Sequence, residues 1–250
     1  MKYFIITGTS SGLGESLAKV AIEEKNKVFC ISRSMNNDLN ELSKKLKSEF
    51  WYFGNDLTFV EKIPALVKEI FSYVDMNASH DLILINNAGT GDPVKPLAKC
   101  EADEISNQIQ LNLVAPLVLS AEFLRNAKYY KGRKFIINIT SGAAVNPYYG
   151  WSLYCSSKAG LDMMTRVVAL EQVDVLNPAV VFSVAPGVLN TPMQSKLRTV
   201  DPADFPLKSK FLKLHEDNML TPPSEAAEKI LQLTDQGAVT SGSIIDLRKL

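Results

Sequence analysis

Histidine is almost missing from this chain of 250 residues: there are two, His80 and His215, far apart and without partners at metal-ligand spacing. That scarcity argues against a zinc enzyme and against a hydrolase built on a Ser-His-Asp relay. Cysteine is equally sparse. Cys30, Cys100 and Cys155 are odd in number and widely separated, so they form neither a disulfide framework nor a zinc motif and fit a reducing, cytoplasmic setting. There is no excess charge of either sign, with 27 basic and 27 acidic side chains, and nothing global draws the protein to nucleic acid or to an anionic membrane. Long apolar runs are also lacking. None approaches the roughly 18 residues needed to span a bilayer, and the opening "MKYFIIT" meets Gly8 before it can act as a signal-peptide core. The expectation is a soluble, unprocessed protein that takes a small-molecule ligand.

What the chain does contain is a rhythm. Seven short runs, "YFIIT", "KVFCIS", "EFWYF", "LILIN", "KFIINIT", "AVVFSVA" and "GSIID", alternate with longer amphipathic stretches. Each run is apolar almost throughout, as a strand buried on both faces must be. The pattern predicts α/β architecture: one Rossmann-type, doubly wound parallel sheet with helices on both faces, spanning residues 1–250, with its ligand crevice at the carboxyl ends of the strands. The stretch from about Val188 to Pro223 carries five prolines and reads as an irregular lid over that crevice.

The first strand runs into "TGTSSGLG", which places Gly8, Ser10, Ser11, Gly12, Leu13 and Gly14 in the turn before a helix starting near Gly12. Glycines here permit a tight turn and close approach of backbone N–H groups to a pyrophosphate at the helix N-terminus. The spacing differs from G-x-G-x-x-G, and a Gly/Ser-rich turn can also be only a turn. After the second strand comes Arg33, where an acid would grip a ribose 2′-hydroxyl; the nearest downstream acid is Asp38. An arginine there suits a 2′-phosphate, hence NADP rather than NAD, or else is an ordinary solvated strand-end residue. "NDLT", with Asp56 and Leu57, and "INNAG", with Asn87, Ala88 and Gly89, close the third and fourth strands at the same end of the sheet, either as crevice lining or as turn and cap chemistry.

Tyr154 and Lys158 stand four apart at the start of a predicted helix, one turn from each other on one face, and Ser141 precedes Tyr154 by thirteen residues at the end of the fifth strand. An adjacent ammonium lowers a phenol's proton affinity, so this Tyr could exchange a proton with a carbonyl or alcohol oxygen that Ser141 hydrogen-bonds. In isolation, Tyr-x-x-x-Lys is more commonly a surface pair. Trp151 and Met193, together with Pro147, Tyr148 and Tyr149, are candidates to line an apolar substrate pocket, or simply to pack the lid.

These segments together, with "LNLVAP" and "APGVLNTPM", resemble the short-chain dehydrogenase/reductase family over the whole chain. The resemblance implies that Asn112 joins Ser141, Tyr154 and Lys158 as the catalytic group, holding a water in a proton relay. It implies that Lys158 and Tyr154 also touch NADPH, that Pro186, Gly187, Val188 and Thr191 meet its carboxamide end, and that the protein is a homodimer or homotetramer. The helices holding Leu111 to Phe123 and Leu153 to Leu170 are the expected interface. "ISRS", "NPYYGWSLYCSSKAG" and "APGVLNTPMQSKLR" are similar to the group of sepiapterin reductases and bacterial benzil reductases, which reduce one ketone of a vicinal dicarbonyl. In that comparison Asp246 of "SGSIIDL" matches a pterin-anchoring aspartate; read by itself it is a carboxylate closing the last strand. Oxidative alcohol or hydroxysteroid dehydrogenation, and a non-catalytic NADP-binding sensor, remain as alternatives.

Overall fold

All seven apolar runs are strands of one sheet in the computed structural model, which describes residues 1–235 and 239–250. They are β1 (Lys2–Thr7), β2 (Lys27–Ser32), β3 (Phe50–Gly54), β4 (Asp81–Asn86), β5 (Lys134–Ile139), β6 (Ala179–Ala185) and β7 (Ile244–Asp246). The order across the sheet is β3-β2-β1-β4-β5-β6-β7. Every pairing is parallel, with Phe4 opposite Val28 on one side and Ile83 on the other. The order reverses between β1 and β4, which sets the crevice above the carboxyl ends of those two strands.

The helices are α1 (Gly12–Glu23), α2 (Asn37–Leu46), α3 (Ile63–Phe71), α4 (Ala102–Ile109), α5 (Ala115–Asn126), α6 (Ser152–Glu171), α7 (Pro192–Leu197), α8 (Lys208–Glu216) and α9 (Pro223–Gln232). Strand alternation explains how one run feeds two cores. Phe4 and Ile6 face Leu17, Ala21 and Ile22 of α1 and Ala227 and Ile230 of α9, while Tyr3 and Ile5 belong to the opposite core with Leu66 and Ile70 of α3 and Leu119 and Phe123 of α5. A strand with both faces covered has no polar side to show, hence the unbroken apolar runs.

The segment from Val188 to Pro223 differs from the irregular loop its prolines suggested. It holds α7 and α8, with Pro192 opening α7 at the first turn, where a missing N–H costs nothing. A third apolar cluster, Trp151, Tyr154, Leu197, Phe205 and Phe211, packs this segment onto the start of α6. Close approach is obligatory there: Gly150 has φ +82, and a Cβ on it would stand 2.2 Å from the Asp204 carbonyl oxygen.

Candidate active site

A cleft of about 560 Å³ opens above the strand ends, between the sheet and the α7–α8 segment. Its wall includes Gly8, Ser10, Ser11, Gly12 and Leu13 from the first turn, Arg33, Asp56 and Leu57, then Asn87, Ala88 and Gly89. Ser141, Trp151, Tyr154, Lys158, Pro186, Gly187, Val188, Thr191 and Met193 complete the set of sequence candidates that reach it. Gly14, Asn112 and Asp246 do not line it.

Gly14 sits one layer behind the turn. A Cβ there would fall 2.1 Å from the Gly8 carbonyl oxygen and 2.4 Å from Asn87 Nδ2, so this glycine lets α1 lie against the turn instead of touching a ligand. Gly8 and Gly12 have φ of +74 and +65, backbone that glycine alone adopts readily. Ser11 at the N-cap of α1 is extended, and its side chain makes no capping bond. The first-turn N–H groups of α1 are therefore left to whatever occupies the cleft, which suits a phosphate. Asn55 Oδ1, also on the wall, is buried with no partner among the described residues. Arg33 is exposed and makes no salt bridge among them, while its charge acts on Asp56. Burial alone would push the Asp56 carboxyl up, but bonds from the Thr58 N–H at 3.0 Å and hydroxyl at 2.8 Å, with Arg33, hold it below its ordinary value. That wall thus offers open N–H donors, an orphan acceptor and a free cation, a combination that suits a phosphate-bearing ligand.

At the other end α6 carries Tyr154 and Lys158. Lys158 Nζ lies 5.8 Å from the centre of the Tyr154 ring and donates to the Ile139 carbonyl oxygen at 2.8 Å. Both side chains are buried, and burial decides their ionisation. It pushes the Lys158 ammonium down to about 8, against the opposing pull of Asp162 one turn further along α6. It pushes the Tyr154 phenol up, with the nearby Ser141 hydroxyl working the other way. The sequence expectation that Lys158 lowers the phenol is therefore not met in the free protein: desolvation dominates at both groups.

Asn112 is wholly buried within a π-helical turn, Gln110–Val114, between α4 and α5. Its amide is clasped by the backbone of Thr90: Thr90 N–H donates to Oδ1 at 2.9 Å and Nδ2 donates to the Thr90 carbonyl at 2.8 Å. A further contact to Ser157 Oγ at 3.4 Å occupies Nδ2. Gly89 keeps a gap open in front of it. A Cβ on Gly89 would fill the point that is 3.1 Å from Asn112 Oδ1 and 3.7 Å from Lys158 Nζ.

Trp151 forms the aromatic wall, packing at a tilt 4.8 Å from Tyr154 and 5.2 Å from Phe205 between ring centres, its indole N–H donating to the Gly91 carbonyl at 3.1 Å. Phe211 and Leu197 extend that wall and escaped the sequence reading, because only α7 and α8 fold them inward. Lys196 of α7 pairs with Asp92 in the segment after β4, across the cleft mouth. Where Asp246 was expected, Arg248 lines the cleft instead. Asp246 accepts from Arg248 Nε at 2.8 Å and Nη2 at 2.6 Å, and both of its oxygens are taken. Among the described residues no cluster of metal-ligating side chains is present, and no helix is long and apolar enough to cross a membrane.

Comparison with known proteins adds three findings. A family model described as short chain dehydrogenase matches residues 2–201. A benzil reductase of Bacillus cereus that forms (S)-benzoin is 38% identical, over 98% of both chains, and a sepiapterin reductase of Xenopus laevis is 32% identical over 97% of this chain and 94% of that one. Among solved structures, a short-chain dehydrogenase/reductase of Saccharomyces cerevisiae superimposes with a TM-score of 0.84 at 24% identity, covering 98% of this chain and 96% of the other.

Proposed function

The chain belongs to the short-chain dehydrogenase/reductase family, and from that premise we propose that it is an NADPH-dependent carbonyl reductase acting on one ketone of a vicinal dicarbonyl, of the benzil kind rather than a pterin. The family are oxidoreductases that bind NAD(P) and act on small molecules. The observation that carries the narrower reading is that the aromatic side chains Trp151 and Phe211 line the same cleft as Ser141 and Tyr154, while both Asp246 oxygens are consumed by Arg248. An aspartate bonded in this way does not present a free carboxylate to a pterin ring.

In this reading the first turn, Gly8 to Leu13, holds the pyrophosphate, Arg33 the 2′-phosphate, and the Asn87–Gly89 and Pro186–Thr191 segments the remainder of the cofactor. The cofactor, when bound, supplies the hydride. Ser141 Oγ and the Tyr154 phenol both address the substrate's carbonyl oxygen. Burial keeps the phenol protonated, and Tyr154 gives that proton to the oxygen as negative charge develops there. Lys158, which donates to Ile139 O, restores that proton, and a water held by Asn112 resupplies Lys158. The fixed Thr90 clasp holds Asn112 Oδ1 in place for that task. The Val188–Pro223 segment acts as the lid, with the Lys196–Asp92 pair at its free edge.

The same reading includes a homo-oligomer. Leu117 on α5 and Met163, Val167 and Leu170 on α6 are exposed, and the last three recur at spacings of four and three along one stripe of the predicted interface helices. The three cysteines are free, in keeping with a cytoplasmic location.

The test is NADPH oxidation by the purified protein with benzil, sepiapterin and an aliphatic 1,2-diketone. Benzil turnover lost by at least a hundredfold in Tyr154→Phe, with NADPH binding intact by fluorescence, supports the reading. Equal turnover in the variant would remove Tyr154 from the chemistry, and cofactor binding with no reduction of any carbonyl would leave a non-catalytic binding module.

A further inference from the structure

An arginine stands at each end of the cleft. Arg33 follows β2 and Arg248 follows β7, with β1, β4, β5 and β6 between them. At about 4.8 Å per strand the two ends lie roughly 24 Å apart. The β2 end belongs to the cofactor; the β7 end borders Ser141.

The geometry of Arg248 is built. Its stem crosses Gly187, where an added Cβ would come within 3.3 Å of Cγ and 3.4 Å of Cδ, and φ is +86. Its Nη2 lies 3.9 Å from the corresponding point on Gly142, the residue after Ser141. Asp246 takes the side edge of the guanidinium, Nε and Nη2, and its Oδ1 also accepts the Arg248 backbone N–H at 3.1 Å. Those bonds hold the Asp246 carboxyl below its ordinary value, so the pair stays ionised in neutral solution. Of five N–H donors, two are used. The end edge, both N–H groups of Nη1 and one of Nη2, meets no acceptor among the described residues, and Arg248 lines the cleft whereas Asp246 does not. One N–H from each terminal nitrogen is a planar fork that matches the two oxygens of a carboxylate.

We propose that Arg248, held by Asp246, is a specificity-determining residue that makes this enzyme prefer vicinal dicarbonyls bearing a carboxylate on the arm remote from the reacting ketone. The inference rests on the dicarbonyl-reductase reading above. It places the charged group of the substrate at the β7 end and the reacting carbonyl beside Ser141 and Tyr154.

The experiment compares benzil with benzil carrying one ring carboxylate, under NADPH, with wild type, Arg248→Met and Arg248→Glu. Expected is a kcat/KM at least tenfold higher for the carboxylated diketone in wild type, residing in KM and shrinking with added salt. In Arg248→Met that ratio falls to about one, and in Arg248→Glu below one. A wild-type ratio near one, or a ratio that survives Arg248→Met, overturns the inference while leaving diketone reduction standing. If neither diketone is reduced, the functional reading fails, and binding of the carboxylated compound, followed by quenching of tryptophan fluorescence, decides for Arg248 alone: tenfold weakening in Arg248→Met upholds its role and equal binding refutes it.

Discussion

Replacing Lys158 by methionine should make stability respond to pH in a way that isolates the burial of one ammonium. Burial takes the Lys158 proton affinity from 10.5 down to about 8, with Asp162 opposing. Between those values the folded protein has released a proton that the unfolded chain retains, so the unfolded state binds more protons and wild-type stability rises with pH. Below about 8 the folded state carries the charge and bears the full penalty, which is about 3 kcal/mol at 1.36 kcal/mol per pH unit. The methionine variant has neither charge nor penalty. It also forfeits the bond to the Ile139 carbonyl, worth about 1.5–3 kcal/mol for a charged donor, so the two proteins should be of similar stability at pH 7. The change with pH is the clean quantity, because effects common to both proteins cancel. Urea unfolding of both at pH 7 and pH 10 should show wild type gaining about 2–3 kcal/mol on the variant between the two. A difference that stays constant within about 0.5 kcal/mol, or that moves the other way, would refute the claim that desolvation dominates at Lys158. Turnover should be lost in the variant at both pH values, since Tyr154 then has no group to restore its proton.

Three other perturbations follow from single contacts. Gly14→Ala forces a Cβ against the Gly8 carbonyl and Asn87 Nδ2, so it should cost more than about 2 kcal/mol in thermal or urea unfolding and abolish cofactor binding, measured by NADPH fluorescence. Arg33→Ala should cut the preference for NADPH over NADH in kcat/KM by about tenfold or more, equivalent to ~1.4 kcal/mol, with NADH kinetics little changed; an unaltered ratio would remove Arg33 from 2′-phosphate recognition. Trp151→Ala empties the centre of the lid cluster and should cost about 3–5 kcal/mol while raising KM for aromatic diketones, read by calorimetric unfolding and initial rates.

The sheet was legible from local chemistry. Apolar runs with no polar side require two covered faces, and glycines at strand-to-helix turns require backbone approach; both are properties of short stretches, so the seven strands, their parallel sheet and the floor of the cleft could be read from the sequence alone. The pairing of Tyr154 with Lys158 was legible for the same reason, since helical spacing is local. What each group does with its proton was not. Whether an ammonium lowers a neighbouring phenol or loses its own proton first depends on how much water the surrounding chain removes, and that is set by Ile139, Asp162 and the lid cluster, which come from β5, from further along α6 and from the segment after β6. Asn112 was named from its motif, but the Thr90 backbone, twenty-two residues away, is what clasps both ends of its amide. The prolines between Val188 and Pro223 concealed two short helices because burial of Leu197, Phe205 and Phe211 against Trp151 stabilises what propensity alone does not. Asp246 and Arg248 stand two apart in the sequence, and both could have faced a substrate; the crossing of Gly187 and the closure of the guanidinium's side edge on the carboxylate decided that the arginine faces the cleft and the aspartate holds it there.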